Sequence, residues 1–172
     1  MKRTILSVIL TTFLLSMTGI VFAHEDVQKV PACLHCGMDR AKFAHSRMYV
    51  AYDDGTNVGT CSIHCLAIDF ATNIDKTPDS IEVGDFNSKN LIDAEKAFWV
   101  IGGTKPGVMS KQAKWAFEKQ EDAQKFITEN GGALATFDEA MQTAFQDMYA
   151  DVKMIREKRK MMKMKMSGAA KQ

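Results

Sequence analysis

Cysteine is scarce in this chain of 172 residues: there are four, all lying between positions 33 and 65. None stands where the apolar N-terminal run ends, so the lipid-accepting cysteine of bacterial lipoproteins is missing. Net charge is scarce as well, since 22 Lys and Arg against 21 Asp and Glu leave +1 with histidines neutral. That balance conceals a division. Residues 24–152 hold 12 basic and 20 acidic side chains, whereas residues 153–172 hold eight basic and one acidic. So acidic a body argues against nucleic acid as a partner. The basic end suits an acidic partner, an acidic face of its own domain or a membrane surface of anionic lipid.

Lys2 and Arg3 precede an apolar run from Ile5 to Phe22, broken by Ser, Thr and Gly and closed by Val21-Phe22-Ala23. A basic start, an apolar middle and small residues at the cleavage positions read as a secretory signal peptide over 1–23. Cleavage after Ala23 leaves 149 residues beginning at His24, enough for one domain with its own core. The expectation is a protein exported to the periplasm. The alternative is an uncleaved membrane anchor, for which the run is just long enough.

Arg47–Asp53 alternates and is rich in aromatic and β-branched residues, which predicts a strand. Asp54-Gly55 signals a turn, Asn57–Cys61 a second strand, and Ser62 a cap for a helix to about Asn73. Ser80–Phe86 completes a first unit. The order then recurs: strands Ala97–Gly102 and Lys114–Glu118, helix Gln120–Asn130 closed by Gly131-Gly132, and strand Ala133–Phe137. The fold class is therefore α+β, with two β-β-α-β units in tandem. Asp138 is placed to cap a long helix, Glu139 to about Met166, whose apolar stripe runs through Met141, Ala144 or Phe145, Met148, Val152 and Ile155. The expected division is a metal-binding domain over 24–138, this helix over 139–166, and a disordered tail over 167–172.

The cysteines form two tight pairs, Cys33-Leu-His-Cys36 and Cys61-Ser-Ile-His-Cys65. A Cys-x-x-Cys turn can aim both thiols at one ion, and Cys-x-x-x-Cys at a helix start places two sulfurs on one face, a turn apart. Together they make a Cys₄ set suited to zinc or copper(I). An oxidising compartment favours disulfides instead, although local closure of either pair constrains little of the unfolded chain. His64 lies inside the second pair and is a candidate ligand, and His24 would offer amino and imidazole nitrogens together after cleavage. Ten of the twelve methionines follow Ala23. Thioethers are soft and cannot form disulfides, which suits copper(I). Met38 follows the first pair, Met109 sits in the loop-like Lys-Pro-Gly-Val-Met-Ser, and Met161, Met162, Met164 and Met166 are interspersed with lysine as candidate extra copper ligands.

Cys36-Gly-Met38, the aromatic strand, Asp54-Gly55 and Cys61-Ser-Ile-His-Cys65-Leu66 resemble the front half of the NosL family. Phe98-Trp-Val100, Met109, Ala116-Phe117, Glu121-Asp122-Ala123, Phe126 and Asn130-Gly131-Gly132 resemble its back half. The front half is also similar to small treble-clef modules, of TRASH or YHS type, in heavy-metal-handling proteins. The NosL resemblance spans roughly Cys33 to Met141. It implies a copper(I) metallochaperone for maturation of nitrous oxide reductase, with a fold related to a domain of organomercurial lyases. Its partners would be copper-enzyme maturation machinery or an apo copper enzyme. The implied ligands are Cys36, Met38, Cys61, Cys65 and above all Met109. The missing lipoprotein cysteine is a departure, with Cys33, Cys36 or His24 as substitutes.

The leading expectation is thus a non-enzymatic periplasmic carrier of copper(I). Two alternatives belong to other classes: a thiol–disulfide oxidoreductase using Cys33 and Cys36, and a binding module stabilised by a Cys₄ zinc site or disulfides.

Overall fold

The fold is described by a computed structural model covering residues 24–169; the expected signal over 1–23 lies outside the described residues. Alternation along Met48–Tyr52 (β1) buries Met48, Val50 and Tyr52 on one face. The turn at Gly55 returns the chain as β2, Asn57–Thr60, which pairs antiparallel with β1 and sets Val50 opposite Val58. A helix, α2 (Ile63–Thr72), crosses over and leads to β3 (Pro78–Gly84) on the other side of β1. A three-residue strand, β4 (Leu91–Asp93), adds to the edge, giving the order β2-β1-β3-β4. Ahead of this sheet lies one short helix, α1, Glu25–Lys29. Neither β4 nor α1 has enough residues to leave a periodic trace in the sequence.

The second unit repeats the first. Strand β5 (Phe98–Ile101) is flanked by β6 (Lys114–Phe117) and β7 (Ala133–Ala135), and α3 (Gln120–Asn130) connects them. The order β6-β5-β7 matches β2-β1-β3, with the first strand of each unit central. Two β-β-α-β units in tandem are therefore present, as the sequence predicts, with β4 as an addition. Asp85 joins them: it bridges to Ala116, and its carboxylate accepts the Glu118 N–H at 3.0 Å.

One core spans both units. Met48, Val50, Leu66 and Val83 pack with Trp99 and Ala116, and with Phe137, Ala140, Met141 and Ala144 of the last helix. A second cluster, centred on Val100, Trp115, Phe117 and Phe126, lies beneath α3. The last helix, α4, runs Phe137–Ala169. Its cap is Thr136 rather than the expected Asp138. The Thr136 N–H donates to Glu139 Oε2 at 2.8 Å and the Glu139 N–H to Thr136 Oγ1 at 3.3 Å, a reciprocal capping box. Asp138 sits in the first turn instead, where a negative charge favours the helix dipole. The helix passes the Met166 at which the sequence suggests its end. No helix among the described residues is long and apolar enough to cross a membrane.

Candidate metal centre

Backbone bonds fold Cys33–Met38 into a tight hairpin. The Cys33 N–H donates to Met38 O at 2.8 Å and the Gly37 N–H to Cys33 O at 2.9 Å. Gly37 turns the chain at φ +74°, a conformation that costs glycine nothing and most residues about 1 kcal/mol or more. The Leu34 N–H donates to Gly59 O at 3.1 Å, which seats the hairpin on β2. Cys61 follows β2 directly, and Cys65 lies in the first turn of α2. Ser62 occupies the cap position as expected, although its side chain makes no capping bond.

All four sulfurs converge, each within 4.8 Å of every other. Cys36 and Cys61 Sγ are 3.4 Å apart, Cys61 and Cys65 Sγ 3.8 Å. These are free thiols. Four sulfurs around one ion at about 2.3 Å would lie about 3.8 Å apart, so the cluster fits a single soft metal ion. Cys33, Cys61 and Cys65 are buried and Cys36 is half-buried, so solvent reaches the cluster from the Cys36 side.

The thiols set one another's protonation. Cys33 accepts from Cys36, then Cys61 and Cys65, and is driven far below the ordinary thiol range. Cys36 is opposed by Cys33 but favoured by Cys61 and Cys65, and lands at about 7. Cys61 and Cys65 are pushed well above the ordinary value, by Cys33 first and Cys36 next. S–H donation within the cluster thus favours the thiolate at Cys33 over the other three, and a metal ion binding here would displace the remaining protons.

Two methionines flank the cluster. Met38 and Met109 both pack, half-buried, against the cysteine cluster. Met109 adopts φ +60°, a left-handed conformation that costs a side-chain-bearing residue about 1–2 kcal/mol. Helix α4 holds its loop in place. Asp151 Oδ1 accepts the Lys111 N–H at 2.9 Å, and Lys114 Nζ donates to Asp147 at 2.9 Å.

The histidines are placed elsewhere. His64 is 2% exposed, with Nδ1 3.5 Å from Asp151 Oδ2, and neither atom has a hydrogen-bond partner. Burial lowers its pKa, outweighing Asp151. His24 Nδ1 lies 3.0 Å from Arg47, in a cleft shared with Tyr49 and Glu82. His35 Nε2 contacts the buried Asp69 at 3.0 Å, pinning the hairpin to α2. Met161, Met162, Met164 and Met166 are exposed on α4.

Sequence reasoning missed the polar groups that fix this geometry. Asp26 binds Arg40 at 2.7 Å and Arg47 at 2.8 Å, all three side chains being buried. Arg40 also donates to Val30, Met48 and Thr60 carbonyls, tying the segment before the hairpin to β1 and β2. Nothing local marks these residues. Asp69 did carry a signal, a lone carboxylate in an apolar helix.

A tandem β-β-α-β domain that converges four free thiols, with two methionines packed against them, has the donor chemistry of a soft-metal-binding protein. The sequence model of the NosL family matches residues 23–145, and the chain belongs to that family. The crystal structure of the copper chaperone NosL from Shewanella denitrificans is similar at 24% identity and a TM-score of 0.50. That match covers 63% of this chain and 87% of the other. No curated protein matches.

Proposed function

We propose that this protein is a periplasmic copper(I) chaperone, carrying the metal to the maturation of nitrous oxide reductase or a related copper enzyme. The observation that supports it is the mixed sulfur set: a four-thiol cluster against which Met38 and Met109 pack, open at Cys36. Thiolates and thioethers are soft donors that select copper(I). Two or three of them hold the ion while leaving a coordination position for an incoming thiol. A client's thiolate approaches at Cys36, forms a new Cu–S bond, and the carrier's bonds break in turn with no change of oxidation state. Membership of the NosL family, together with the likeness to the copper chaperone NosL, supports the copper assignment. The basic end of α4 would bring the carrier to an acidic partner or an anionic membrane surface.

The reduced protein is expected to bind about one copper(I) at this centre. Cys36→Ser, Cys61→Ser and Met109→Ala should each weaken binding in competition with a chromophoric copper(I) chelator. Unchanged affinity in all three would contradict the proposal.

The sulfur spacing favours a second reading, a closed structural Cys₄ zinc site. Metal analysis of anaerobically purified protein, with a thiol count, separates the two: exchangeable copper supports the carrier, tightly held zinc the structural site.

A further inference from the structure

Helix α4 lies on the domain through Phe137, Ala140, Met141, Ala144, Asp151 and Ile155, spaced at helical intervals and buried or half-buried. Continued, that rhythm places Arg159, Met162 and Met166 next on the same face. Arg159 confirms the register by donating from Nη2 to Cys36 O at 3.4 Å. The inner face of α4 therefore passes the backbone of Cys36, the half-buried cysteine of the cluster. Met162 and Met166 stand beyond that contact, about 4.5 and 10.5 Å further along the axis.

These methionines bury little, with Met162 57% and Met166 74% exposed, so packing does not explain them. Residues four apart on a helix are neighbours, and their flexible side chains can bring two sulfurs to one ion. The surroundings select among metals. Glu157 is the one acidic residue after Asp151, while Lys158, Lys160, Lys163 and Lys165 crowd the same segment. Uncharged thioethers among cations disfavour a divalent ion and tolerate a monovalent one. The segment also lies beyond residue 145, where the family match ends.

We propose that Met162 and Met166 form a second, thioether-only copper(I) site that loads the cysteine centre through Cys36. The inference rests on the copper(I) reading above. In the transfer, Cu–S bonds to the thioethers break and Cu–S bonds to cysteine sulfur form. The proton of any displaced thiol passes to water and copper stays in the +1 state.

The test uses the chain from His24 to Gln172, reduced and titrated anaerobically with copper(I) against a weak chelator. Wild type should take up a second, weaker equivalent that persists in acid, because thioethers carry no proton to compete. Met162→Leu/Met166→Leu, which keeps volume and helix propensity, should lose that equivalent and load the first more slowly. Met161→Leu/Met164→Leu, altering the flanks, should keep both. If the Met162/Met166 variant retains both equivalents and its loading rate, the inference is overturned while the carrier reading stands. If wild type binds no copper(I), both fall.

Discussion

Arg40 and Arg47 are charges held in the interior, and Asp26 is what makes that tolerable. Burial resists ionisation of the Asp26 carboxylate, but Arg47 and then Arg40 overcome it and hold its pKa below the ordinary 3.8. A depressed acid stabilises the fold above its unfolded pKa, and that contribution is lost as pH falls from about 3.8 through the folded value. Asp26→Ala should cost about 3–5 kcal/mol in urea denaturation, because two buried guanidiniums lose their counter-charge. It should also flatten the acid limb of the stability profile. Cys36 makes a chemical prediction at the same scale. It is the half-buried thiol, whereas the more acidic Cys33 is buried, so iodoacetamide should modify Cys36 first in the metal-free protein, as peptide mapping would show. First modification of Cys61 or Cys65 would contradict the geometry.

Among the elements, the loop before β6 and helix α4 act together. Asp151 holds the Lys111 N–H, and so fixes the turn that presents Met109 to the sulfurs. Asp151→Ala should lower copper(I) affinity about 10- to 100-fold, the usual effect of losing an outer support, with all sulfur donors intact. Gly84 is constrained differently: a Cβ there would lie 2.0 Å from Ala44 O. Gly84→Ala should destabilise the fold by about 1–3 kcal/mol in thermal melts, by forcing β3 away from the loop that leads into β1. Elements with strong periodicity were legible in the sequence. Met48–Tyr52 alternates in burial as it does in chemistry, and α4 buries Met141 and Ala144 of its apolar stripe while Phe145 stays 44% exposed. The two-unit repeat could be read from element order alone. Strand β4 and helix α1 could not, being too short for any period. The cysteine pairs announced the site through local spacing, and Met109 stood out as a large apolar side chain in a loop-like segment, with the family resemblance adding weight to it. Asp151, Arg40 and Asp26 act across long sequence separations and leave no local pattern.

At the scale of the molecule, the first unit supplies the thiols, the second supplies the Met109 loop, and α4 spans both. The sulfur centre therefore lies where the two units meet, which explains why neither half of the sequence contains the whole set. The divided charge has a place in this arrangement, since the basic end of α4 begins beside Cys36, where solvent reaches the cluster. The choice between a copper(I) carrier and a closed zinc knot turns on which ion the sulfur set prefers to hold. It is tested most directly by offering the reduced, metal-free protein copper(I) and zinc(II) together under anaerobic conditions and measuring the metal retained. A carrier retains copper(I) that a stronger copper(I) chelator withdraws, and Cys36→Ser weakens that binding. Retained zinc that copper(I) does not displace would contradict the carrier reading.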